Sequence, residues 1–352
     1  MSELSLNAEY GSRYQVIEKI GEGGMQHVYK AHDKTLDRQV ALKVPKNTAA
    51  ERRFQRSAAL SAKVSHPNVA KTLDYFEESG VFFLAEEFIS GMDLSDFRQK
   101  VPRLDPYSVA TVLHNLARAI RASHRVGVIH RDLKPSNIMV DGTYQLSTVK
   151  VTDFGIAKMA ERELAEAAES EATITSSHTM MGALPYLAPE MIRGPKNASF
   201  GADVWAIGAI AFELLCGVKP FGGGLAAVPA ILEHPCVPLP DDINVQFRPL
   251  VSDLHNLIIR CLEKIESKRP DAELLVAECE KLCYQTPARC FGKVSNYKYT
   301  YGFISEDGSG ETIFFHPDSV YGPKPKVGEP VWFAKHSGDP RSRAHPVVKC
   351  LE

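Results

Sequence analysis

Several residues of this 352-residue chain are of types that could do chemistry together. Gly21, Gly23 and Gly24 lie between two strand-like segments, where backbone free of side chains can come close to phosphate oxygens. A plain Gly-rich hairpin turn looks the same, so the glycines alone leave both readings open. The next strand-like segment ends in VALK, and its Lys43 is an ammonium that can reach phosphates from the adjoining strand. Further along stand Asp132, Asn137 and Asp153, carboxylate and carboxamide oxygens that suit a hard divalent cation.

The surroundings of these residues form a motif set. His130-Arg131-Asp132-Leu133-Lys134-Pro135-Ser136-Asn137 is followed by Asp153-Phe154-Gly155 and then by Ala188-Pro189-Glu190. Together they resemble the protein kinase family over residues 14–283, and Lys134, two residues past Asp132, matches the Ser/Thr type. The resemblance implies that Asp132 orients a substrate hydroxyl and accepts its proton, and that Lys134 contacts the transferred phosphate. It implies that Asn137 and Asp153 hold Mg²⁺ or Mn²⁺ and that Lys43 grips ATP. The nucleotide site it implies comprises Gly21, Glu22, Gly23, Gly24, Val28, Ala41, Lys43, Glu86, Glu87 and Asp153. Asp203 and Arg269 match residues that brace the catalytic loop and pair with Glu190.

Four positions depart from the family pattern. The third glycine is Gln26, a substitution given little weight here. The acidic helix partner of the strand lysine falls at Ser57, which cannot form an ion pair. Glu51 lies six residues away, a rotation of ~600° that leaves it on another face. Glu86 aligns at the back of the cleft and is a candidate replacement; a one-residue slip with Glu87 that leaves it facing solvent is an equal alternative, and the sequence does not decide between them. Ala183 stands where the family has a hydroxyl that ties its loop to the catalytic residues, an expectation of reduced activity or altered docking. The segment 153–190 also carries Thr173, Thr175, Ser176, Ser177 and Thr179, phosphorylation candidates that Arg131 is placed to meet; a flexible polar loop is the alternative.

Residues 291–350 contain GKV, YGFI, IFFH and VGEPVWF, and this stretch is similar to a cold-shock domain, a five-stranded OB-type barrel. Alternation puts Tyr301 with Phe303, and Phe314 with His316, on one face each. With Tyr297 these are the candidates for stacking on single-stranded RNA or DNA; aromatic residues filling a small core are the alternative. Asn296 replaces the leading tryptophan and Pro317 the aromatic after the histidine, so weaker binding is expected.

The elements that must position these groups can be read coarsely. Residues 14–44 and 72–90 alternate as strands, with a helical stretch at 49–64 between them. From Asp105 the spacing of Val109, Val112, Leu113, Leu116 and Ile120 predicts a helix with one buried stripe, and the chain reads as mostly helical to about 283. The expected architecture is an α+β two-lobed protein-kinase fold. It has an antiparallel N-lobe (14–89), a helical C-lobe (90–283), a linker (284–289) and a small all-β barrel (290–352). Hydrophobic content of 44% and charged content of 24% belong to a globular chain. Seven cysteines without a CxxC pair favour reduced structural thiols. The stretch 287–352 has nine Lys and Arg against seven Asp and Glu within an overall charge of −2, which implies no strong electrostatic grip on nucleic acid. No apolar run is long enough to span a bilayer, and the expected location is cytoplasmic, with no membrane partner. The sequence names neither the protein substrate nor the oligomeric state. The functional expectation is a Ser/Thr protein kinase with a nucleic-acid-binding barrel; the alternatives are a pseudokinase scaffold that binds nucleotide, and an RNA-binding protein regulated by the kinase lobe.

Overall fold

The computed structural model describes residues 3–22, 26–141, 145–154, 182–194, 198–282 and 288–351. Its first element group is an antiparallel sheet in the order β1-β2-β3-β4-β6-β5, made of β1 (Glu9–Tyr10), β2 (Tyr14–Glu22), β3 (Gln26–Asp33), β4 (Arg38–Pro45), β5 (Thr72–Glu78) and β6 (Val81–Glu87). Directly opposed residues share a face of such a sheet, and neighbours in sequence take opposite faces. Val28 opposes Lys43, Lys30 opposes Ala41, and Ala41 in turn opposes Glu86. One face therefore carries Gln26, Val28, Ala41, Lys43 and Glu86. The other buries Tyr29, Ala31, Val40, Leu42, Val44, Phe83 and Ala85 as a separate apolar cluster. Helix α1 (Thr48–Ser61) closes the cleft side, packing Phe54 and Ala58 on Leu84.

The second lobe is built on α2 (Leu94–Lys100), α3 (Pro106–Arg125), α4 (Pro189–Arg193), α5 (Phe200–Cys216), α6 (Ala227–Glu233), α7 (Arg248–Cys261) and α8 (Ala272–Lys281). Helix α5 is apolar almost all round and lies buried at the centre, as such a sequence requires. Helix α3 buries the expected stripe, and Asp105 caps its start by accepting the N–H groups of Tyr107 and Ser108. This lobe is not purely helical. A small sheet of β7 (Gly91–Asp93), β8 (Ile138–Asp141) and β9 (Val149–Val151) lies under the cleft. Strands of three or four residues are too short to show a period of two, which is why composition did not reveal them.

The C-terminal unit is a sheet in the order β12-β11-β10-β14-β15-β13, formed by β10 (Arg289–Tyr297), β11 (Gly302–Glu306), β12 (Thr312–Phe315), β13 (Val320–Tyr321), β14 (Pro330–His336) and β15 (Arg343–Lys349). A parallel pairing of Phe314 with Arg343 joins β12 to β15 and closes it into a barrel. The expected five strands are present, with the two-residue β13 as a sixth. Gly302 permits close packing: a Cβ there would overlap the Phe315 ring.

The barrel is docked on the helical lobe. Tyr321, Trp332, Val348 and Cys350 belong to the same buried cluster as α2, α3 and α5. Arg289, assigned to the linker from sequence, is instead the first residue of β10. It is buried against Trp332 and ion-paired to the fully buried Asp105 at 2.9 Å. A Pro-containing stretch reads as a linker, but a buried carboxylate at the helix cap demanded a cation, and Arg289 supplies it.

Candidate active site

Lys43 stands at the centre of the cleft with its ammonium 2.5 Å from Glu86 Oε2 and 2.7 Å from Asp153 Oδ1. Lys43 and Glu86 are both almost fully buried. Register explains the placing. Glu86 opposes Ala41, on the face of Lys43, whereas Glu87 opposes Val40 and takes the other face. Glu87 pairs with Lys150 at 2.6 Å. Ser57, the helix position without an acid, donates its hydroxyl to the Phe154 carbonyl at 2.5 Å. Helix α1 thus holds the backbone beside Asp153, and among its described residues none makes an ion pair with the lysine.

The electrostatics follow from two carboxylates sharing one ammonium in a dry cleft. Burial pulls the Lys43 ammonium down, but the facing Asp153 and Glu86 charges outweigh it and raise it, so the lysine stays protonated. Burial pushes the Glu86 carboxyl up against the pull of Lys43. Burial also acts upward on Asp153, yet Lys43 and the Gln26 amide hold that carboxyl below its ordinary value.

Helix α5 anchors the start of the segment 130–137. Asp203 accepts the backbone N–H groups of His130 and Arg131, each at 2.9 Å, and lies 2.9 Å from His124 Nε2. This fixes Arg131 at a φ of 70°, a left-handed value seldom adopted by such a residue. Beyond it, Lys134 donates to Asp132 Oδ2 at 2.9 Å, and the Asn137 amide donates to the same oxygen at 3.1 Å and to the Asp132 carbonyl at 2.7 Å. Thr152 donates its N–H to the Asn137 carbonyl at 2.9 Å, so the residue before Asp153 is tied to Asn137. Asp153 itself has a φ of 63°. Phe154 is buried against His130, with ring centroids 4.6 Å apart. Arg269 grips Glu190 through two bonds, at 2.6 and 2.8 Å.

The family model described as the protein kinase domain matches residues 14–279. The chain belongs to the protein kinase family. It is similar to the probable serine/threonine-protein kinase PknB of Lactococcus lactis, with 38% identity over 283 residues, 78% of this chain and 43% of that protein. It is also 35% identical to the serine/threonine-protein kinase PrkC of Bacillus subtilis, across 66% of this chain and 34% of that one. The chain thus spans less than half the length of these two relatives. A crystal structure of Rad53 1-466 in complex with AMP-PNP shares the fold with a TM-score of 0.58 at 23% identity, covering 76% of this chain and 64% of that one. No helix among the described residues is long and apolar enough to cross a membrane.

The other expected site residues of the kinase fall as follows. Gly21 stands opposite Val28, one residue before the end of β2, and Glu22 is exposed in ion pairs with Lys19 and Lys46. Gly23, Gly24, Gly155 and the hydroxyls Thr173, Thr175, Ser176, Ser177 and Thr179 lie outside the described residues. Ala183 is buried beside Leu184 and brings no hydroxyl, and Lys134 is committed to Asp132. In the barrel, Phe303 and Phe314 face each other across β11 and β12 at 6.0 Å, with Tyr301 at 5.6 Å from Phe303 and the Arg341 guanidinium 5.6 Å above the Phe303 ring. His316 is exposed and within 3.4 Å of Asp318. Tyr297 departs from expectation: it packs on Phe315 at 5.1 Å, against the barrel core rather than beside the other rings. The bulge between Val294 and Asn296 shifts the alternation that would have turned it outward.

One residue of the cleft was passed over in the sequence. Gln26 is buried and donates its amide to Asp153 Oδ1 at 2.8 Å. Its parity with Val28 on β3 is the signal that could have found it.

Proposed function

We propose that this chain is an ATP- and divalent-cation-dependent protein-serine/threonine kinase in which Glu86 replaces the helix carboxylate as the partner of Lys43. The observation that carries the reading is the Lys43 ammonium held between Glu86 and Asp153. Two carboxylates on one ammonium leave the cleft short of positive charge, and the Asn137 and Asp153 oxygens are a donor set that fits Mg²⁺ or Mn²⁺. Such a cation, when bound, neutralises charge on the nucleotide phosphates. Lys43 orients those phosphates. Lys134 and Asn137 both bond Asp132 Oδ2, which turns Oδ1 toward the incoming Ser or Thr hydroxyl to orient it and receive its proton. Autophosphorylation at Thr173, Thr175, Ser176, Ser177 or Thr179 belongs to the same reading, and phosphopeptide mapping after incubation with ATP tests it.

The barrel is read as an OB-type, cold-shock-like module that binds single-stranded RNA or DNA. The grouping of Tyr301, Phe303 and Phe314 beneath Arg341 supports it, since rings and a guanidinium in one patch can stack on successive bases. The deciding experiment for the kinase is transfer from labelled ATP to a protein substrate, with and without Mg²⁺, comparing the full chain with Asp132→Asn. Transfer by the first and not by the second is expected; equal signals from both would reject the assignment of Asp132.

A further inference from the structure

Asp153 receives two hydrogen bonds on a single oxygen. Lys43 Nζ reaches Oδ1 at 2.7 Å and Gln26 Nε2 reaches the same atom at 2.8 Å; no described residue donates to Oδ2. The two donors differ in origin. Lys43 is in the middle of the sheet, whereas Gln26 is the first residue of β3, immediately after the glycine-rich turn, and the bond spans 127 residues of sequence. Gln26 is also only 6% exposed, on the cleft face with Val28, so its amide is held in the dry part of the site. A neutral amide donating to a carboxylate makes a charge-assisted bond without adding a competing charge. Two donors on one oxygen restrict rotation of the carboxylate and leave the other oxygen as its ligand atom.

We propose that Gln26 is a positioning residue that, together with Lys43, ties down Oδ1 of Asp153 so that Oδ2 is presented to the divalent cation, coupling the seating of strand β3 to cation binding. This rests on the reading of the cleft as an ATP and metal site. It explains why a side chain at a glycine position is useful here, because the glutamine spans from hairpin to metal carboxylate and glycine cannot.

The test is a binding measurement on the full chain, independent of turnover. A fluorescent N-methylanthraniloyl-ATP is titrated in MgCl₂ and in EDTA for the wild type, Gln26→Ala, Gln26→Gly and Gln26→Leu, with thermal melting to confirm folding. Leucine roughly keeps the volume of the buried side chain and removes its carboxamide, and with it the N–H that reaches Asp153 Oδ1. In the wild type, Mg²⁺ tightens nucleotide binding. In all three variants that Mg²⁺-dependent gain falls about tenfold, while affinity in EDTA changes less than about twofold. A leucine variant that retains the full gain reduces Gln26 to packing and overturns the proposal. A gain that grows in the variants shows Gln26 competing with the cation, and overturns it as well. Wild-type gain with unchanged variants removes this inference alone, whereas a wild type without any Mg²⁺-dependent nucleotide binding removes the active-site reading with it.

Discussion

The Lys43 ammonium sits 2.5 Å from a carboxylate on the neighbouring strand of its own sheet, that of Glu86, and pairs with none of the described residues of helix α1. The spacing of adjacent strands sets this contact, because Ala41 and Glu86 are register partners two residues from the lysine. A pair built within one sheet keeps its geometry whatever small shift the packed helix makes. Ser57 links α1 to the Phe154 backbone instead.

Glu86→Gln therefore weakens ATP binding or turnover by about tenfold or more, since a buried ammonium loses one of its two charged partners. Ser57→Ala changes nucleotide affinity by less than about twofold and lowers stability by ~1 kcal/mol, the scale of one hydrogen bond. Steady-state kinetics and denaturant titrations of both variants check the pair of outcomes, and Glu86→Gln kinetics equal to wild type would show Lys43 relying on Asp153 alone.

Asp33 makes acid stability predictable. It is fully buried, bonded by Arg13 at 2.7 and 2.8 Å, and also reached by Arg38 and the N–H groups of Thr35 and Leu36. The Arg13 bond, working against burial, holds its carboxyl well below the usual range. The folded state thus binds the proton less readily than the unfolded chain. The stabilisation is fully present above the unfolded value near about 4 and is lost as pH falls below it. Asp33→Asn lowers stability at pH 7 by roughly 2–3 kcal/mol and flattens the acid limb of a melting-temperature profile between about pH 5 and 2.

Arg289 joins barrel to lobe through a fully buried partner, Asp105, which also caps α3. Replacing it with Leu leaves that carboxylate uncompensated and costs roughly 3–5 kcal/mol. Calorimetry is expected to show one cooperative transition for the full chain. A chain ending at residue 282 should melt lower, because it exposes the surface that Trp332 and Tyr321 cover.

Within the barrel, Tyr301→Ala and Phe314→Ala each weaken binding of a single-stranded oligonucleotide by roughly 5–150-fold, the value of one stacked base. Tyr297→Ala acts on stability instead, because its ring packs on Phe315. Fluorescence anisotropy and thermal melting of the three variants separate the two effects. Unchanged binding in both Tyr301→Ala and Phe314→Ala would remove the nucleic-acid assignment.

The motifs His130–Asn137, Asp153–Gly155 and Ala188–Glu190 carried a resemblance to the protein kinase family, which implied roles for Lys43, Asp132, Asn137 and Asp153, and the change from alternating to helical patterning carried the two-lobed order, because motif and period are both local properties of the chain. The buried stripe of α3 was legible for the same reason: periodicity is a local property. Register between strands is not local. Whether Glu86 or Glu87 faces the lysine depends on which residue opposes Ala41, and a slip of one residue exchanges the two faces. The contact of Gln26 with Asp153, the bond from Ser57 to Phe154 and the burial of Arg289 on Asp105 join residues far apart in the chain. No local pattern encodes them, since each arises only when packing removes water and a buried polar group must find its partners within the protein.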